Sequence, residues 1–198
     1  MGQAKRLPRF AKGERMKLLF ASDIHGDLTA ARAVLGRMEQ EGAQRLVLLG
    51  DILYHGPRND LPAGYDPKGV IALLNGEKHR ILAVRGNCDT EVDQMVLEFP
   101  ILADYAVLPL ATGGLAYLTH GHRYNEESLP PICADDVLIH GHTHVAGVTT
   151  CANGCPCLNP GSVSIPKGGT PPAYMIYENG VFEIKTLADG SLLARLEK

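Results

Sequence analysis

"KLLFASDIHGDLTAARAVLGRMEQEG", residues 17–42, decides the fold. Its first six residues form an apolar run of strand length that ends on Asp23-Ile24-His25. Beyond it Leu28, Ala31, Val34, Leu35 and Met38 recur near a 3.6 period, with Asp27 or Thr29 as a cap and Gly42 as a stop, which reads as an amphipathic helix. Working outward, the same pattern returns twice. "RLVLLG" (45–50) runs into Asp51, and "ILAVRG" (81–86) runs into Asn87. Between them "DPKGVIALLNG" (66–76) carries Pro early and Gly at its end, the asymmetry of a helix. The order is βαβαβ, and near-continuous apolar strands imply a sheet buried on both faces.

The second half changes character. A helix around 91–98 precedes short runs at 114–122, 136–144, 147–151, 173–178, 181–187 and 192–197. Asn-Gly pairs at 153–154 and 179–180 read as hairpin turns. Neither repeats nor a linker interrupt the chain, so one domain of two packed sheets flanked by helices, 16–198, is the economical reading.

Composition sets the outer limits. A chain of 198 residues holds one full core but not two comfortable ones. Nineteen basic against twenty-two acidic residues give −3, which advertises neither a nucleic-acid nor a membrane surface. Five cysteines, an odd number, argue against a secreted disulfide framework and for a reducing compartment, with the cytoplasm as default. Residues 1–15 are basic but lack the apolar core of a secretion signal. Arg6 stands where a myristoylation site needs Ser or Thr. We read 1–15 as a poorly ordered extension, and Met16 offers an alternative start.

Ligand-type side chains gather where strands end: Asp23, His25, Asp51, Asn87, His120, His142 and His144. In open α/β sheets that edge is where sites form. The D-x-H of 23–25 and the H-x-H of 142–144 have period two, so in extended backbone each pair points to one side. Two carboxylates, an amide and four imidazoles exceed the needs of one divalent ion. They suit two ions that share a carboxylate, ~3.5–4 Å apart, the arrangement that clamps an in-line phosphoryl displacement. Any one of these histidines alone is more often a surface or core residue; seven such residues at successive strand ends are not readily a coincidence.

"DIHGD" (23–27), "GDILYHG" (50–56), "GNCD" (86–89), "THGH" (119–122) and "GHTH" (141–144), in this order, resemble the calcineurin-like metallophosphoesterases. With the length and "NPGSVSIPKGG" (159–169), the chain is similar to their small bacterial phosphodiesterases of the YfcE type. The resemblance spans about 16 to 190. It implies an α/β fold, a four-layer αββα sandwich of two mixed sheets flanked by helices, around a dinuclear centre. By position, one metal takes Asp23, His25 and His144, and the other Asn87, His120 and His142. Asp51 bridges them, with a hydroxide in the remaining bridge. Asp51, Asn87 and His120 are the candidate catalytic residues. Oxygen and imidazole ligands alone do not choose among Mn²⁺, Fe and Zn²⁺; the resemblance favours Mn²⁺. It also suggests a dimer or tetramer, through exposed strands or the 54–65 loop.

The remaining polar residues are read as follows. Asp89 orients a neighbour, since ligands need partners behind them. His55 and Arg58 lie on the loop after Asp51, where Arg58 is as readily a phosphate clamp as a solvated charge. His122 is placed to contact substrate. His140 points away from His142 and is structural, and His79 is exposed. In "CANGCPC" (151–157) a zinc knuckle needs four ligands, and three cysteines without an obvious fourth fall short. "NPGSVSIPKGG" is a rigid structural loop, with Lys167 or backbone amides as weaker substrate contacts. Cys88 stands where most catalytic relatives have a histidine that protonates the leaving oxygen. We read it as the loss of that general acid, an effect of ~10²–10⁴-fold on poor leaving groups.

The expected activity is hydrolysis of a small phosphodiester by the bridging hydroxide. The alternatives are a phosphomonoesterase or phosphoprotein phosphatase, and a non-catalytic scaffold like the retromer subunit of the vacuolar-sorting type. The full ligand set argues for an enzyme, because a scaffold has no need of His25.

Overall fold

The computed structural model describes residues 16–198; the expected extension, 1–15, lies outside the described residues. The opening stretch folds as read. Strand β1 (Leu18–Ala21) is wholly buried, and helix α1 (Leu28–Gln40) begins at Asp27, whose carboxylate accepts the Ala30 amide at 2.9 Å. Such a cap stabilises a helix by about 1 kcal/mol. The second and third repeats give β2 (Arg45–Leu48), α2 (Pro67–Asn75) and β3 (Ile81–Ala83), followed by α3 (Glu91–Val96). Each strand is shorter than its apolar run, because the last residues leave the ladder to turn into the site.

The second half supplies β4 (Tyr105–Pro109), β5 (Leu115–Thr119), β6 (Val137–Ile139), β7 (Gly147–Thr150) and β8 (Pro156–Asn159). It ends with β9 (Ala173–Glu178), β10 (Val181–Thr186) and β11 (Leu192–Glu197). Both Asn-Gly pairs sit in hairpins, joining β7 to β8 and β9 to β10. β4 and β8 escaped the sequence reading. β4 exposes alternate residues and ends in Pro, and β8 is four residues long with Cys and Pro in it.

Two mixed sheets result. One has the order β11-β10-β9-β1-β2-β3 and the other β4-β5-β6-β8-β7. β1, β2 and β3 run parallel, as do β5, β6 and β8, so each sheet presents a row of C-terminal strand ends. Alternation along β1 and β2 puts Leu19, Ala21, Leu46 and Leu48 against the helices, and Leu18, Phe20, Val47 and Leu49 against the second sheet. The first sheet is therefore buried on both faces, as its composition demands. Helices are few. Over the outer face of the five-stranded sheet, Leu138, Cys151, Cys155 and Cys157 are covered by Tyr117 and by Leu129 and Ile132 of an irregular segment, where the sandwich picture has a helix.

Candidate metal centre

The seven strand-end residues come together at one edge of the two sheets. How they arrive differs from the expected extended pairs. Asp23, His25, Asp51, His142 and His144 all have positive φ, between 50° and 65°. Only one other non-glycine among the described residues, Asn179, shares that conformation. Left-handed backbone at bulky residues costs on the order of 1–3 kcal/mol each and persists only where surroundings enforce it. Here the turns after each strand aim the side chains, rather than the pleat of a strand.

Close backbone approach makes the crowding possible. A Cβ on Gly86 would collide with the Asp51 carboxylate and amide, and one on Gly50 with the backbone of Gly86. Asp89 fixes the same junction. Its buried carboxylate accepts the amides of Asp51 and Ile52 at 2.9 Å and of Gly86 at 2.7 Å. These bonds make a clasp between the turns after β2 and β3. Burial pushes the Asp89 carboxyl up to about 6, against the pull of the three amides.

Three imidazoles are held in one tautomer. Nδ1 of His25, His120 and His144 faces the carbonyl oxygens of Tyr54, Leu49 and Ile165 at 2.8, 2.7 and 2.7 Å. A carbonyl accepts only, so each Nδ1 carries the hydrogen and each neutral ring leaves a lone pair on Nε2. Those lone pairs meet other acceptors. His25 Nε2 lies 3.3 Å from His144 Nε2, and Asp23 Oδ1 lies 3.6 and 3.2 Å from the two. His120 Nε2 lies 3.0 Å from Asn87 Oδ1 and 3.2 Å from His142 Nδ1. Asp51 Oδ2 stands 3.8 Å from His25 Nε2 and 3.4 Å from His120 Nε2, within reach of both groups.

Acceptors crowded against acceptors repel unless positive charge lies among them. Donor atoms around a small divalent ion with ~2.1 Å bonds are themselves about 3.0–3.4 Å apart, so these spacings fit the edges of coordination shells. The carboxylates bias the same imidazoles toward carrying positive charge. Burial would lower His120, but contact with Asp51 and the charges of Asp23 and Asp51 raise it to about 9. Burial would raise Asp23, yet contacts with His144 and His25 hold it well below the ordinary carboxylate range. Burial and the neighbouring His120 push His142 down to about 4. Asp23 Oδ1 is buried without a hydrogen-bond donor. The donor set fits divalent cations.

The other expected residues ring this cluster. Cys88 is buried, its amide donates to Asp51 Oδ1 at 2.8 Å, and Sγ lies within 4.8 Å of ligand atoms of His25 and Asp51. Burial and the carboxylates of Asp51, Asp89 and Asp23 push its thiol up strongly. The His122 ring packs at a tilt, 5.4 Å from His120 and 6.2 Å from His142, with a buried Nδ1 that has no partner. His55 packs edge-on against Tyr54 and Tyr65, away from the ligand atoms. Arg58 is exposed at the mouth of a pocket shared with Asn59, Asn87, Cys88, His142 and Lys167. His140 turns toward Glu126, away from His142, because the left-handed backbone at His142 breaks the alternation that would put both on one face, and His79 is exposed.

Sequence reasoning missed the supports. Ser162 and Ser164 both donate their hydroxyls to the Asp23 carbonyl at 2.8 Å, and Lys167 Nζ donates to Asn59 Oδ1 at 3.2 Å. The carbonyls that fix the imidazoles carry no side-chain signal at all. Only the two serines in "NPGS" and "VS" hinted at a polar underside.

Residues 16–180 match the family described as the calcineurin-like phosphoesterase superfamily domain. The chain is 51% identical over 181 residues to Phosphodiesterase YfcE of Escherichia coli strain K12, covering 91% of this chain and 97% of that one. The solved structure of YfcE, a phosphoesterase from E. coli, superposes with a TM-score of 0.87 at 49% identity, over 92% of this chain and 99% of that one. Vps29 from Chaetomium thermophilum shares the fold at a TM-score of 0.57 and 15% identity, over 93% and 97% of the two chains. With a family match over most of its length and a close relative covered nearly end to end, the chain belongs to the calcineurin-like phosphoesterase superfamily.

Proposed function

We propose that the protein is a metal-dependent hydrolase of small phosphodiesters. The convergence of imidazole lone pairs and carboxylate oxygens on two adjoining points carries this reading. Asp23, His25 and His144 would hold one ion, and Asn87, His120 and His142 the other, with Asp51 between them. Two divalent ions there, Mn²⁺ by family and Zn²⁺ or Fe by chemistry, would supply charge for the phosphate and Lewis acidity toward water at neutral pH.

The chain's own residues do the rest. Backbone carbonyls hold the rings, Asp89 holds the Asp51 turn, and the serines hold the Asp23 turn, so the ligands are organised before any substrate arrives. Arg58 and Lys167 bring two positive charges to the open mouth, suited to a phosphate that enters there. His122, whose ring lies 6.2 Å from that of His142, would contact the substrate beside it. Cys88 replaces an imidazole acid with a poorer one, so turnover favours esters whose leaving group needs no proton.

Ligands drawn from both halves support residues 16–198 as one metallophosphoesterase domain. Tyr54 and Leu61, exposed at 42% and 60% on the 54–65 loop, offer a surface for a homo-oligomer, a dimer or tetramer. Unpaired thiols suit the cytoplasm, and no helix among the described residues is long and apolar enough to cross a membrane.

Metal-stripped protein re-supplied with Mn²⁺ and screened against phosphodiesters and monoesters tests the reading. Diester hydrolysis restored by metal is expected. Preference for monoesters would shift the activity to a phosphomonoesterase, and hydrolysis of neither would favour a scaffold.

A further inference from the structure

The cysteine cluster acquires partners that its spacing did not show. Cys157 of β8 and Cys155, which just precedes that strand, pack in one cluster, and Cys151 returns to them across the Asn-Gly turn, its amide donating to the Cys155 carbonyl at 2.9 Å. Cys157 is in register with Leu138 of β6, and His140 lies two residues beyond Leu138, on the same face. The His140 ring therefore stands beside the Cys157 thiol. Over both lies Glu126, from the irregular segment that covers this sheet. One ligand atom each from Glu126, His140 and Cys157 falls within 4.8 Å of the other two.

The orientation of His140 repeats the logic of the catalytic histidines. Nδ1 lies 3.0 Å from the carbonyl of Gly141, so it carries the hydrogen. Nε2, on a ring 1% exposed, has no hydrogen-bond donor and points at Glu126 Oε2, 3.1 Å away. The Cys151 thiol adjoins those of Cys155 and Cys157 in the same packed cluster, the nearest further donor to the three.

We propose that Glu126, His140 and Cys157, completed by Cys151, form a second metal site on the outer face of the five-stranded sheet, for zinc or a similar thiophilic divalent ion. A carboxylate, an imidazole and two thiols are a four-donor set of the kind zinc takes in closed sites. Thiolates select against Mn²⁺ and Mg²⁺, so this site and the catalytic centre sort different ions. Burial and Glu126 push the Cys157 thiol up strongly, so it gives its proton to solvent as the ion binds, and affinity falls as pH falls. The bound ion pins the 120–133 segment, which carries His122, to β6 and β8.

Co²⁺, added to chelator-treated protein under a phosphine reductant, reads the site directly. We expect a sulfur-to-cobalt charge-transfer band at one equivalent. It should persist in Cys88→Ala, the thiol nearest the catalytic cluster, and vanish in Cys157→Ser with far-UV circular dichroism unchanged. Glu126→Gln, at a half-exposed position that leaves the core intact, should weaken Co²⁺ binding at least ~10-fold, the lower bound for losing even an outer partner of a metal site. A wild-type protein without the band, a band that survives in Cys157→Ser, or one lost in Cys88→Ala would overturn the proposal. So would undiminished affinity in Glu126→Gln.

Discussion

Two clusters of ligand-type residues lie on either side of Gly141. His142 and His144 turn into the edge between the sheets, and His140 turns under the outer face of β6 and β8. In both, a backbone carbonyl takes the Nδ1 hydrogen and leaves Nε2 facing a carboxylate. The difference lies in the backbone. Five residues of the first cluster sit at positive φ, whereas Glu126, His140 and Cys157 do not. Strain of on the order of 1–3 kcal/mol per residue marks the first cluster as one the whole fold is built to hold. The second rests on ordinary strands and a covering segment, so it is removable without loss of the fold. The strand-end cluster is a property of the architecture, and the thiol cluster an addition to it.

The sharpest way to break this contrast is Asp51→Asn. It keeps the shape but removes charge shared by both groups, so turnover should fall to background while the fold and thermal unfolding remain near wild type. Kinetics alongside circular dichroism decide it, and appreciable residual turnover would contradict the bridging role.

Next in size are Asp23→Ala, His25→Ala and His144→Ala. Each alone should cost nearly as much activity as all three together, because losing one ligand disables the group. Small effects that multiply independently would mean that these residues do not share an ion.

Cys88 tests the edge of the first cluster. Cys88→His should raise hydrolysis of alkyl diesters by up to ~10²–10⁴-fold. Cys88→Ala should change rates on nitrophenyl diesters only modestly. Elimination of nitrophenyl turnover in Cys88→Ala, with metals still bound, would assign the thiol a chemical role.

The smallest expected effect belongs to the second cluster. Cys157→Ser should leave Mn²⁺-supported turnover within about twofold of wild type, the scatter ordinary for a substitution outside the reacting groups. A large loss measured in the same assay would show the two clusters to be coupled.

The contrast also explains what could be read in advance. β1, α1 and β2 were legible because burial on two faces writes long apolar runs, and Asp27 and Gly42 punctuate the helix. The candidate ligands stood out because they follow such runs, in an order that resembles a family. Two things left no such trace. The left-handed turns at Asp23, His25, Asp51, His142 and His144 come from tertiary packing and override local preference, so the expected extended pairs are replaced by turns. The carbonyls of Tyr54, Leu49 and Ile165, which set the tautomers, are invisible in any side-chain pattern. Glu126 and Cys157 are 31 positions apart with no motif between them, and only the pairing of β6 with β8 and the fold of the covering segment bring them together.

The central claim is that two ions share Asp51. Anomalous diffraction from crystals of Mn²⁺-loaded, fully active protein measures it directly. The account predicts two peaks, one among Asp23, His25 and His144 and one among Asn87, His120 and His142, with the Asp51 carboxylate touching both. A single peak in active protein, or two peaks that Asp51 does not join, would contradict it.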